Sequence, residues 1–127
     1  MSNVVLDTSV MVAYVYKEKG GDGAKNYLYD AVISTVIYSE FLYVMIDKGF
    51  TLDELEKFIN YFGIEIIDFD EQQALIAAEL AQKTKSKGLS FGDRACLALA
   101  IYKKIPVVTA DKIWSKLDIG VNIKLIR

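Results

Sequence analysis

The chain has 127 residues, 53% of them hydrophobic, with a mean hydropathy of +0.24, a net charge of −2 and a pI near 5.1. This length suits a single domain, 1–127, with a sizeable core, and no uncharged run exceeds nine residues, against the ~20 that a membrane-spanning helix needs. There is no histidine and one cysteine, Cys96, which excludes imidazole bases, Ser-His-Asp triads, His-bearing or multi-Cys zinc sites and an internal disulfide.

The apolar excess suggests an α/β fold whose sheet is covered on both faces, with a self-association surface besides. Residues 1–7 carry no basic n-region and no cleavage site, so secretion is not expected and a cytoplasmic location is. Hydrolytic or transfer chemistry in such a chain must rest on carboxylates, with or without a hard metal.

Residues 3–6 read as a buried strand ending in Asp7-Thr8-Ser9, where Thr8 or Ser9 can cap a short helix over 10–16. Residues 20–23 read as a turn and 24–30 as a second helix. A second strand, 31–33, stops at Ser34-Thr35, which open a helix over 35–48 that Gly49 ends. Glu40 is the misfit of that helix. Val36, Ile37, Tyr43 and Val44 lie one turn either side of it, so a lone carboxylate there is costly unless paired or bound to a cation, or unless it lies on the edge of the apolar face.

Thr51 and Glu54 form a capping box for a helix to residue 62, broken by Gly63, and 64–67 make a third strand. Asp70 opens a long helix over 71–85. Lys87-Gly88 then turns into residues 89–100, where Ser90 caps a helix and Asp93 completes a second capping box. The apolar run over 95–102 requires deep packing, with Cys96 a small core residue. Gly92 costs helix stability and leaves open space beside a carboxylate. Residues 105–109 form a fourth strand with Pro106 near its start, 110–114 a loop and helical turn, and 122–126 a short fifth strand.

Alternating strands and helices predict a mainly parallel five-stranded sheet with helices on both faces, and its order is taken as 3-2-1-4-5. In such sheets ligands bind beyond the carboxyl ends of the strands, where strand order reverses, here between strands one and four. Asp7, Glu40, Asp93 and Asp111 all fall near that point. Taken singly, Asp7 reads as a helix-capping turn, Asp111 as an Asx-turn and Asp93 as a capping box. Together the four make a candidate acidic site, and oxygen-only ligation favours Mg²⁺ or Mn²⁺ over zinc.

The whole chain resembles the PIN-domain ribonucleases, specifically the VapC-type toxins of toxin–antitoxin pairs. The likeness is carried by Val4-Val5-Leu6-Asp7-Thr8-Ser9, Tyr38-Ser39-Glu40, Leu89-Ser90-Phe91-Gly92-Asp93-Arg94-Ala95-Cys96-Leu97-Ala98 and Val107-Val108-Thr109-Ala110-Asp111-Lys112-Ile113-Trp114, in that order. It implies a three-layer α/β/α sandwich and Mg²⁺- or Mn²⁺-dependent endoribonuclease activity. Asp7, Glu40, Asp93 and Asp111 would form the acidic quartet, with Asp7 and Asp93 as direct metal ligands. Glu40 would assist the metal or orient water, Asp111 would act through water with Asp118 as a nearby substitute, and the Thr8 and Thr109 hydroxyls would fix the carboxylates. A homodimer and neutralisation by a small DNA-binding antitoxin are implied as well. Lys83, Lys85, Lys87, Lys112 and Lys116 are candidates for RNA backbone contacts, against the alternative of solvated faces.

Two other readings stand beside it. A phosphoacceptor or phosphatase-type domain would use Asp7 as nucleophile and Thr109 as phosphate contact, but strand one supplies one acid where a pair is expected. A non-catalytic RNA- or protein-binding module would keep the fold without turnover.

Overall fold

The computed structural model describes residues 3–127; Met1 and Ser2, part of the stretch read as lacking a leader, lie outside the described residues. The elements run β1 (Val4–Leu6), α1 (Thr8–Val15), α2 (Gly21–Leu28), β2 (Ala31–Ser34), α3 (Thr35–Asp47), α4 (Leu52–Phe62), β3 (Glu65–Ile67), α5 (Glu71–Lys83), α6 (Phe91–Lys103), β4 (Val107–Thr109) and β5 (Ile123–Leu125). Two 3-10 turns, Lys85–Lys87 and Lys112–Lys116, precede α6 and follow β4.

All strand pairs are parallel and the order is β3-β2-β1-β4-β5, as expected. β1 is central, pairing Val5 with Val32 on one side and with Val107 on the other. Its Val-Val-Leu run is buried throughout, which a strand covered on both faces requires. Right-handed crossovers put α1 to α4 on one face of the sheet and α5 and α6 on the other. α6 packs across β1, β2 and β4, and its residues from Ala95 to Ala100 are all buried, as their apolar run demands. No helix among the described residues is long and apolar enough to cross a membrane.

The core joins Leu6, Ile33, Ile37, Phe41, Met45, Leu97, Leu99 and the fully buried Trp114. Under α4 the rings of Tyr14, Phe41, Phe58 and Phe62 meet in tilted and edge-on pairs 5.3–6.1 Å apart, which fixes α1 and α3 against it.

Several predicted boundaries move, each for a local reason. α1 begins at Thr8 because Asp7, rather than Thr8 or Ser9, is its cap: Thr8 N–H donates to Asp7 Oδ1 at 2.9 Å. The turn read over 20–23 is instead the first turn of α2. Gly20 takes the left-handed conformation (φ 83°) that ends the loop, and Gly21 lies so close to the Ala13 carbonyl that no side chain fits between them. α5 stops at Lys83, where Thr84 turns its hydroxyl back to the Leu80 carbonyl. β4 starts at Val107, with Pro106 just before it accepting from Val5 N–H. Both predicted capping boxes, Thr51 with Glu54 and Ser90 with Asp93, are complete.

Candidate active site

The chain leaves β1 at the point where strand order reverses, and Asp7 is the first residue beyond it. Its backbone N–H still pairs with the Val108 carbonyl of β4, so the carboxylate is delivered between the ends of the two strands. It is buried, and both oxygens are engaged. Oδ1 accepts from Thr8 N–H, and Oδ2 accepts from the hydroxyls of Ser9 and Thr109, each at 2.8 Å.

Burial is the main force that pushes the Asp7 carboxyl up to about 6. The two hydroxyl donors pull it down, and the negative charges of Asp93 and Glu40 push it up further. Asp7 thus carries charge at neutral pH only against its surroundings.

Glu40 lies on the edge of the α3 apolar face, resolving the alternatives its sequence neighbours left open. Ile37 and Phe41 beside it are buried, while Glu40 itself is half-buried and takes the Thr8 hydroxyl on Oε1. Its other oxygen sits against Gly92 in the first turn of α6. A Cβ at Gly92 would stand 3.1 Å from Glu40 Oε2, so the open space expected beside Asp93 is filled by Glu40 instead.

Asp93, one residue on, has its Oδ2 committed to the Ser90 N–H at 2.9 Å as half of the capping box, while Oδ1 has no hydrogen-bond donor among the described residues. The cap and the site are one side chain doing both. Asp111 is tied in through its backbone: its N–H donates to Thr109 Oγ1, while its carboxylate accepts from Ile113 N–H and caps the 3-10 turn. Asp118 is exposed beyond that turn.

Asp7, Glu40 and Asp93 therefore share one electrostatic neighbourhood, although among the described residues no three acidic, His or Cys side chains close around a point that could hold an ion. The donor set is hard oxygen only, and no cationic side chain is paired with it among the described residues. By its chemistry, oxygen donors throughout, such a set is of the kind that hard divalent cations take.

Ser9 is the residue that sequence reasoning missed as a site member. Its hydroxyl donates to Asp7 and accepts from Ala110 N–H at 3.0 Å, so one group locks the β1 and β4 loops together. The signal available was its spacing, two residues after an acid at a strand end, where a hydroxyl reaches back to the carboxylate. Thr8 and Thr109 do hold carboxylates, but different ones: Thr8 holds Glu40 and Thr109 holds Asp7. The lysines at 83, 85, 87, 112 and 116 are all exposed, and Lys112 and Lys116 lie on the turn that Asp111 caps. Cys96 is buried behind the site with its Sγ 3.5 Å from the Leu6 carbonyl, and burial pushes its thiol well above the usual range.

Among solved structures, the chain is similar over its whole length to the DNA-bound VapBC of Salmonella typhimurium, with 19% identity, all of both chains covered and a TM-score of 0.74. It also resembles FitAcB of Neisseria gonorrhoeae, with 20% identity, 97% of each chain and a TM-score of 0.70. A third likeness is to VapC20 of Mycobacterium tuberculosis, described as a sarcin–ricin loop cleaving toxin, with 13% identity, 94% of this chain, 98% of that one and a TM-score of 0.72. No curated protein sequence matches the chain. The PIN-domain family model matches residues 4–120, from β1 through the 3-10 turn after β4, so by fold and by sequence this chain belongs to the PIN-domain family.

Proposed function

We propose that the protein is a Mg²⁺- or Mn²⁺-dependent endoribonuclease, the VapC-type toxin of a toxin–antitoxin pair. The observation that carries this reading is the buried Asp7 carboxylate at the β1/β4 switch point, held by three donors, with Glu40 and Asp93 in its electrostatic neighbourhood and no cationic side chain paired with it among the described residues. A buried carboxylate with other acids nearby and no cation of the chain to offset it suits a divalent cation as counter-charge. The likeness to VapC20, a toxin that cleaves the sarcin–ricin loop, supports the same class of reaction.

When bound, the cation supplies Lewis acidity toward a phosphodiester oxygen and lowers the pKa of water. Asp7 and Asp93 would hold it, using the lone pairs their hydrogen bonds leave free. Ser9, Thr8 and Thr109 keep Asp7 and Glu40 in place, so little reorganisation is needed when RNA arrives. Glu40 is positioned to orient water, and Asp111 acts at longer range. Lys112 and Lys116, with Lys83, Lys85 and Lys87, would meet the RNA backbone. Neutralisation by a DNA-binding antitoxin, in keeping with the VapBC and FitAcB likenesses, belongs to the proposal, as do a homodimeric state and a cytoplasmic location.

The test is cleavage of total cellular RNA with Mg²⁺, Mn²⁺ or EDTA, comparing the wild type with Asp93→Asn. Cleavage that needs both metal and Asp93 is the expected result. No cleavage in any lane, with both proteins folded, would favour the binding-module reading.

A further inference from the structure

A groove of about 540 Å³ opens beside the acidic site between α3 and the first turn of α6, with Val36, Ser39, Glu40, Tyr43, Phe91 and Gly92 in its walls. α3 presents it at helical spacing. Val36, Glu40 and Tyr43 fall on one stripe, while the neighbouring stripe of Ile37, Phe41 and Met45 is buried in the core. Two aromatic rings stand in this groove facing water: Tyr43 is 72% exposed and Phe91 53%.

Their positions relative to the acids are set by the backbone. Tyr43 lies three residues beyond Glu40, about 4.5 Å along the helix axis. Phe91 directly precedes Gly92, whose bare Cα lets the Glu40 carboxylate rest against the same turn. The Phe91 ring is braced edge-on by Phe69, with centroids 5.7 Å apart and planes at 87°, so its outer face is held in one orientation.

We infer that Tyr43 and Phe91 are stacking platforms for the bases of an unpaired RNA strand, next to the phosphate that the acidic site addresses. The inference rests on the proposed nuclease activity and names the form of RNA it takes. A strand whose phosphate reaches Glu40 has to pass along the groove that Glu40 walls. The chain's net charge of −2 gives a polyanion little general attraction beyond its local lysines, so contacts to the bases add to the hold. Exposed rings do so, because every base offers a π face and the stacking energy is largely indifferent to sequence. In a duplex those faces are already covered by neighbouring base pairs. The groove therefore selects single strands and loops over helices, and the Ser39 hydroxyl in its wall offers a hydrogen bond to a base edge or a 2′-hydroxyl.

The test measures binding of a fluorescein-labelled RNA of about ten nucleotides to Asp93→Asn protein, so that the probe is held without being cut. Tyr43→Ala and Phe91→Ala in that background are expected to weaken binding by roughly five- to a hundredfold each. Tyr43→Trp and Phe91→Trp, which keep a flat ring, should retain it; Phe91→Trp also guards against a loosened first turn of α6 in the alanine variant. The same RNA annealed to its complement should bind more weakly and respond to none of the four changes. In the Asp93-intact protein the alanine variants should raise KM for single-stranded RNA far more than they lower kcat. Equal affinity of wild type and Tyr43→Ala, or equal losses on single and double strands, would overturn the inference. So would variants that alter self-association or capture of a protein partner while RNA binding holds. Failure of the nuclease reading shows separately, as wild-type protein that binds RNA without metal-dependent cleavage.

Discussion

The hydroxyl of Thr109 at the end of β4 donates to Asp7 Oδ2 at 2.8 Å, across 102 residues of chain, and in the same geometry accepts from Asp111 N–H. One side chain thus sets the position of the buried acid and the start of the loop that carries another. Thr109→Val keeps the shape and removes the hydroxyl. It is expected to cost about 1.5–3 kcal/mol at neutral pH, the range for a buried hydrogen bond to a charged group, and to raise the Asp7 pKa above its present value. Urea unfolding at pH 7.5 measures the first and NMR titration of the Asp7 carboxyl the second.

Asp7 also links stability to pH. Its carboxyl is raised from 3.8 to about 6 by burial foremost. Below about pH 4 the group is protonated in both folded and unfolded chains. Between about 4 and 6 the folded chain holds the proton more tightly, and above 6 it carries a buried charge. The contribution of Asp7 to stability therefore falls as pH rises through that window, by about 3 kcal/mol. Asp7→Asn removes the titration, so the stability of the variant relative to wild type should improve from pH 4 to pH 7.5 when both are unfolded in EDTA. A gap that stays constant with pH would falsify the assignment. Addition of Mg²⁺ should then stabilise the wild type and leave Asp7→Asn unchanged.

Gly92→Ala separates folding from function. Alanine is favoured over glycine in a helix by up to about 1 kcal/mol. Its methyl, however, would stand 3.1 Å from Glu40 Oε2 and push that carboxylate away by a few tenths of an ångström. The expected outcome is a melting temperature equal to or above wild type together with RNA cleavage reduced about tenfold, since small misplacements of reacting groups are costly. A lower melting temperature would mean that Glu40 cannot yield.

Cys96 is expected to be unreactive in the folded protein. It is fully buried, hydrogen-bonded to the Leu6 carbonyl, and its thiol is held well above the usual range by burial. Labelling with a disulfide reagent should proceed only at the rate of global unfolding, and should reach one thiol per chain in urea. Rapid native labelling would show that α6 opens locally away from β1.

The sequence by itself determined the order of elements along the chain and, from their alternation, a parallel sheet, because those follow from local signals: short apolar runs, capping boxes at Thr51 and Ser90, and glycines past helix ends. The 3-2-1-4-5 arrangement it could only anticipate, and the long-range pairing of the strands bears it out. It also picked out Asp7, Glu40, Asp93 and Asp111 as acids near one strand switch. Tertiary structure alone decided which groups hold which. That Thr8 serves Glu40 and Thr109 serves Asp7, that Ser9 ties β1 to β4, and that Gly92 makes room for Glu40 are contacts between residues tens of positions apart. The same holds for Gly21, read as a turn residue and found as the first residue of α2, where the Ala13 carbonyl of α1 leaves no room for a side chain. The physical reason is one of range. Helix caps and strand patterns are fixed by neighbours within a few residues. A carboxylate's hydrogen-bond partners and its proton affinity are fixed by whatever the folded chain brings within about 3 Å, and by how much water the packing removes.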